Sequence, residues 1–232
     1  MKNKWAKIIL SVAMLITTIF PNVVSVKATT SEEYEIYPTV QKLDYKEGNF
    51  IIQNSVNVVF EEGIDTYTQQ KLTDVLKNKG IQMNVGSEKT DATTNILVGI
   101  KDSGKYVDTY AKNNVAFDAS TFEGTFDPYV LDIQDGVITI LGESSDGAYY
   151  GIVSLMHILN QIDGKRVRNL TINDYADTQT RGFIEGYYGI PWSNEDRMAL
   201  MEFGGNFKMT SYIFAPKDDP YHKNLWREEY PQ

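Results

Sequence analysis

Between residues 181 and 215 a short apolar run, a loop bracketed by Gly186 and Gly189, a helical stretch and a second apolar run follow one another, and few architectures accept that order. Two strands joined through a helix lie parallel, because antiparallel neighbours need only a tight turn. The segment therefore reads as one βα unit and the start of another, in a parallel sheet or a (β/α)8 barrel. Ser193 is the expected N-cap, with Asp196 three residues on in capping-box relation, and the helix is expected from about Asn194 to Gly205 or Phe207.

In parallel α/β architectures the C-terminal ends of the strands form the ligand-facing rim, so the residues just after each strand are the informative ones. Glu185 and Gly186 end the first strand, and Lys217, Asp218 and Asp219 end the second. Tyr187, Tyr188, Trp192, Phe214 and Tyr221 crowd the same loops. That mixture suits a sugar, whose C–H face packs on aromatic rings while its hydroxyls take charged or amide partners. A second possibility stays open: Glu185, Lys217 and Asp218 pair with one another and only tie two loops together.

Upstream, residues 31–178 alternate between strand-like and helix-like segments, as an α/β or α+β domain does. Strands are expected at 50–52, 56–60, 81–85, 96–100 and 167–172, and helices at 65–79, around 106–112, and at 144–162. The hairpin 129–133/137–141 is the clearest local signal, because Asp135-Gly136 is a turn pair between two aliphatic runs. The stretch from Gly142 to Gly147 lacks both the spacing and the lysine of a phosphate loop, so it reads as a strand-to-helix turn with a Ser N-cap. Asn169-Leu170-Thr171 is a glycosylation triplet by letters but falls inside an expected strand. His157 lies in an apolar helix with no second ligand in view and reads as a packed, hydrogen-bonded core histidine.

Composition narrows the chemistry. The formal charge is −9, from 22 Lys+Arg against 31 Asp+Glu, and no basic run occurs, which excludes a phosphate-backbone binder; no nucleic-acid partner is expected. With no Cys and only His157 and His222, thiolate nucleophiles, cysteine-based metal sites and histidine-rich metal centres are excluded, and no cofactor or metal is expected. Carboxylates, lysines, tyrosines and hydroxyls must do any chemistry. Lys2, Lys4 and Lys7 precede an apolar stretch, residues 8–20, followed by Pro21 and Val26-Lys27-Ala28. This is a secretory signal peptide by pattern, with cleavage expected after Ala28, an extracellular destination and no membrane association afterwards.

The stretch RGFIEGYYGIPWSNEDR…YIFAPKDDPYHKNLWREEYP, residues 181–231, resembles the opening of the catalytic barrel of glycoside hydrolase family 84. This family comprises bacterial secreted β-N-acetylglucosaminidases, often labelled hyaluronidases, and relatives that remove O-linked N-acetylglucosamine from proteins. The preceding domain looks like the small α/β domain before that barrel. The resemblance implies glycans or glycoproteins bearing N-acetylglucosamine as partners. It also implies substrate-assisted retaining hydrolysis, in which the substrate's acetamido group attacks the anomeric carbon to give an oxazoline.

Carried over residue by residue, Gly186 matches the glycine whose backbone carbonyl accepts a bond from a sugar hydroxyl. Lys217 matches the lysine that donates to the same sugar, and Tyr188 a pocket-lining tyrosine. Asp218 is expected to orient Lys217, and His222 to brace the loop beyond. Asp218-Asp219 is not the family's working Asp pair, which follows the fourth barrel strand, so no catalytic residue is assigned. The expected fold is an N-terminal α/β (α+β) domain, residues 31–178, followed over 179–232 by the first βα unit of a truncated TIM barrel, inactive by itself, with the helix face of Met198, Leu200 and Phe203 partly uncovered. The alternative is a secreted carbohydrate-binding or adhesion module without catalysis.

Overall fold

The computed structural model describes residues 33–185, 192–214 and 220–231. The expected export segment, residues 1–28, lies outside them. Residues from Tyr34 onward form one compact unit built on a seven-stranded sheet with the order β1-β7-β5-β6-β4-β2-β3. Its strands are β1 (Lys42–Ile51), β2 (Ser55–Phe60), β3 (Gln82–Val85), β4 (Asn95–Ile100), β5 (Phe126–Gln134), β6 (Val137–Gly142) and β7 (Arg166–Ala176). The strands β3, β2, β4 and β6 are parallel, whereas β5 and β7 join antiparallel, as does β1 at the far edge.

Strand alternation sorts the side chains onto two faces. Ile96, Val98, Leu131, Ile133, Ile138, Ile140, Leu170 and Ile172 point to one face, where they pack with α1 (Thr66–Asn78) and α3 (Ser145–Gln161). Each of these fully buried aliphatic side chains is worth about 1.5–3 kcal/mol of transfer free energy. Helix α3 comes close because it presents Gly151, where an added Cβ would lie 2.6 Å from Ile140. The opposite face carries Val59, Leu97 and Val137 against Val107 of α2 (Tyr106–Asn114) and, beside them, Val130 and Leu141 against Ala111 and Val115.

Strands β1, β5 and β7 run longer than the sequence suggests, β1 by the most. Residues 47–49 read as a turn before a short strand, yet β1 starts at Lys42 and carries a bulge there, with Gly48 at φ 90°. The reason is packing: a Cβ on Gly48 would stand 3.0 Å from the Asn169 amide. That amide, on β7, donates to Glu47 O at 2.9 Å, and Asn169 is only 4% exposed. The glycosylation triplet is thus sealed inside the sheet. The turn from Gly142 to Gly147 is likewise closed: Ser144 caps α3 by accepting from Gly147 N, and Cβ atoms on either glycine would strike backbone.

The remaining elements are a single 3-10 turn (Ala119–Phe122), β8 (Gly182–Ile184), α4 (Asn194–Gly205), β9 (Ser211–Ile213) and the short α5 (Pro220–Lys223). β8 and β9 pair in parallel, with α4 as the crossover. This is the expected βα unit, and Ser193 and Asp196 form the full capping box. Met198 and Phe203 of α4 are exposed.

Candidate functional site

The two strands of the βα unit define a floor at their N-terminal ends and a rim at their C-terminal ends. Pairing is intimate at the floor, because Gly182 faces Ser211 and any Cβ there would overlap Ser211 O. At the rim stands Glu185, 4% exposed and the residue directly after β8. Its carboxylate accepts from Arg197 Nε at 2.7 Å and Nη2 at 3.0 Å, from the Trp192 backbone N–H at 3.0 Å and from the Tyr212 hydroxyl of β9. Four donors fill its acceptor positions, and above all the Arg197 guanidinium lowers its pKa to about 2. Such a carboxylate is neither a general acid nor an accessible base near neutrality. It positions: it fastens β8 to β9 and to α4, and joins the two residues that flank 186–191.

Arg197 and Tyr212 were not singled out from the sequence. The signal for Arg197 was its place four residues into α4, where the helix dipole disfavours a cation unless an anion holds it. The guanidinium also lies 4.1 Å from the centre of the Phe214 ring, so one side chain orders part of the rim. Gly186, Tyr188 and Lys217 lie outside the described residues, as do Tyr187, Asp218, Asp219 and the side chain of His222. Among the described residues Glu185 pairs with Arg197.

The floor is where the two parts of the molecule meet. Lys208, in the turn between α4 and β9, reaches into the seven-stranded domain and places Nζ 2.8 Å from both Tyr129 Oη and Asp174 Oδ2. Burial lowers the pKa of this ammonium, while Asp174 opposes the shift. Arg181, just before β8, donates to Asp127 Oδ2 at 2.7 Å and to Lys208 O at 3.0 Å. A cavity of about 330 Å³ opens at this seam, lined by Gln41, Tyr150 and these ionic groups. Asp127 with Arg181 and Asp174 with Lys208 already satisfy one another there.

The seven-stranded domain has its own crevice at the C-terminal ends of β2 and β4, where α1 leaves to one face and α2 to the other. Ligands of open parallel sheets bind at such points. Here Glu61 fills it, accepting from Ser103 Oγ and from Asp108 N at 3.1 Å, while Asp108 takes the amides of Asp102 and Gly104. Carboxylates of the chain itself occupy the place of a ligand. The rim of β8 and β9 lies at the ends of these strands away from the seam.

Comparison with known proteins follows the same division. Residues 181–232 match the family model described as beta-N-acetylglucosaminidase, and residues 33–175 match that of glycosyl hydrolase family 20, domain 2. Rat and mouse Protein O-GlcNAcase are each 43% identical over 49 residues, 21% of this chain and 5% of theirs. Among solved structures, CpGH84D is 50% identical with a TM-score of 0.82 over 87% of this chain and 34% of its own. CpGH84B is 30% identical, with a TM-score of 0.71 over 86% of this chain and 33% of its own. The chain spans about a third of the length of these solved relatives.

Proposed function

Starting from a chain that belongs, over residues 33–175, to the family of glycosyl hydrolase family 20 domain 2, and that is as a whole a glycoside hydrolase family 84-like N-terminal region, we propose that it forms part of an exported enzyme removing terminal β-linked N-acetylglucosamine from glycans or glycoproteins. The observation that carries this reading is the match of residues 181–232 to the N-acetylglucosaminidase family over the very segment whose rim Glu185 and Arg197 order. Residues 1–28 supply the export signal. Mature secreted protein beginning at Thr29 is the expected product.

In the proposed reaction the substrate's acetamido oxygen attacks C1 as the glycosidic bond breaks and a general acid protonates the leaving oxygen. Water then opens the oxazoline, and the configuration at C1 is retained. In this reading the backbone carbonyl of Gly186 accepts a sugar hydroxyl, Lys217 donates to the same sugar and Tyr188 lines the pocket. A charge-assisted contact such as that of Lys217 is worth about 1.5–3 kcal/mol. Glu185, with all its acceptor positions engaged, supports these loops without taking part in proton transfer.

No residue of the 232 matches the working Asp pair, so the polypeptide by itself is expected to leave a chromogenic N-acetyl-β-glucosaminide intact. The longest product of the locus is expected to hydrolyse it, and Gly186→Trp to abolish turnover by obstructing the approach to the backbone. Saturable sugar binding without hydrolysis by that longest product would instead support an adhesion module.

A further inference from the structure

His157 stands at a junction of three segments that the hydrolase reading does not use. It projects from α3, half-buried. On one side its Nδ1 accepts from the Tyr37 backbone N–H at 3.1 Å, in the segment that leads into β1. On the other its Nε2 lies 3.0 Å from the carbonyl oxygen of Asn206, in the turn after α4. An acceptor at Nδ1 and a carbonyl at Nε2 fix a single form, the neutral Nε2–H tautomer. Phe207 of the same turn packs its ring 5.8 Å from the imidazole, and Tyr37 packs 6.4 Å away.

We propose that His157 is a proton-sensitive latch that holds the N-terminal segment against α3, and that its protonation releases that segment while the bond from Nε2–H to the Asn206 carbonyl persists. The chemistry is direct. An imidazolium carries hydrogens on both nitrogens, so Nδ1 loses its acceptor role and two N–H groups, those of Tyr37 and of the ring, face each other.

The charged surroundings make this worse. Lys208 of the α4–β9 turn and Lys71 of α1 both disfavour a positive ring. Lys71 is held by Asn206 Oδ1 with Glu202 of α4 beside it, and Lys208 is held by Asp174. On the N-terminal segment the Glu35 carboxylate is engaged by the Tyr37 hydroxyl at 2.9 Å. Burial is the largest cause that lowers the pKa of His157 below its ordinary value; the bond to the Asn206 carbonyl opposes the shift, and the two lysines add to it.

The sign follows from linkage. A histidine whose folded pKa lies below about 6.5 binds fewer protons folded than released, so the latch is intact above that value and weakens as pH falls below it. Each pH unit between the released and latched pKa values costs about tenfold in the closing equilibrium. The test is hydrogen exchange on the full chain, corrected for intrinsic rates, at pH 7.5 and 5.5.

Protection of Phe207 and Met209 in the turn is expected to hold, and that of the Tyr37 amide to fall about tenfold in the wild type. In His157→Gln, whose amide can donate and accept at every pH, it is expected to stay level. Equal losses in both proteins, or no loss in the wild type, would overturn the proposal. A ring titration followed by NMR gives a second reading that needs no variant: the His157 carbons are expected to titrate below about 6.5, and titration at or above that value with protection retained would also overturn it.

Discussion

The ammonium of Lys208 and the carboxylate of Asp174 meet 2.8 Å apart inside the seven-stranded domain, although the two residues belong to different parts of the fold. Lys208 sits at φ 59°, a place at the end of a helix that glycine usually takes, and its Cβ costs about 1 kcal/mol there. Asp127, the partner of Arg181 in the same seam, also has a positive φ of 50°. Both residues sit where the βα unit is fastened down, and each forms an ion pair there.

Lys208→Met is therefore expected to destabilise the protein by about 3 kcal/mol, because one member of a buried pair is left behind. Asp174 keeps Gln41 N and the Tyr129 hydroxyl as donors, which limits the loss. In a double-mutant cycle with Asp174→Asn the two changes should cost less together than their sum, as measured by denaturant unfolding. Strict additivity would show that the pair is not coupled.

Gly182→Ala is expected to break the pairing of β8 with β9 while leaving the large sheet intact, since the new methyl overlaps Ser211 O. Limited proteolysis should then cut within 182–213 and spare 34–176. Unchanged resistance across 182–213 would contradict the packing described at the floor.

Acid should act on the rim through Glu185. Its folded pKa of about 2 lies well below the unfolded value near 4.3, so its contribution is fully present above about pH 4.5 and disappears as pH falls toward 2. The Tm advantage of wild type over Glu185→Gln should be widest at neutral pH and shrink over that window. A constant difference from pH 7 to pH 3 would mean that the Arg197 clamp does not set the stability of the rim.

Much of this architecture was legible in the chain. The Asp135-Gly136 hairpin, the apolar α3 and the capping box at Ser193 each rest on local chemistry that the fold did not override. The long β1 was not: Leu43 and Tyr45 alternate with Lys42, Asp44 and Lys46, but Glu47-Gly48-Asn49 reads as a turn and conceals the bulge through which the strand continues. The seam was equally hidden. Nothing in the sequence marks Lys208, and only the placement of Asp174 and Tyr129 from distant sequence makes it a buried anchor. At the rim, Glu185 was visible as a polar residue after a strand, but its partners Arg197 and Tyr212 come from the helix and strand that follow, so the clamp emerges only once β8 and β9 are paired.

The most direct test of the functional claim compares two chromogenic glycosides, the N-acetyl-β-glucosaminide and the matching β-glucoside, with the longest product of the locus and its Lys217→Ala variant. The account predicts turnover of the acetamido sugar alone, with kcat/KM lowered about ten- to a hundredfold by the substitution. Equal turnover of both glycosides, or an unchanged kcat/KM in the variant, would contradict it.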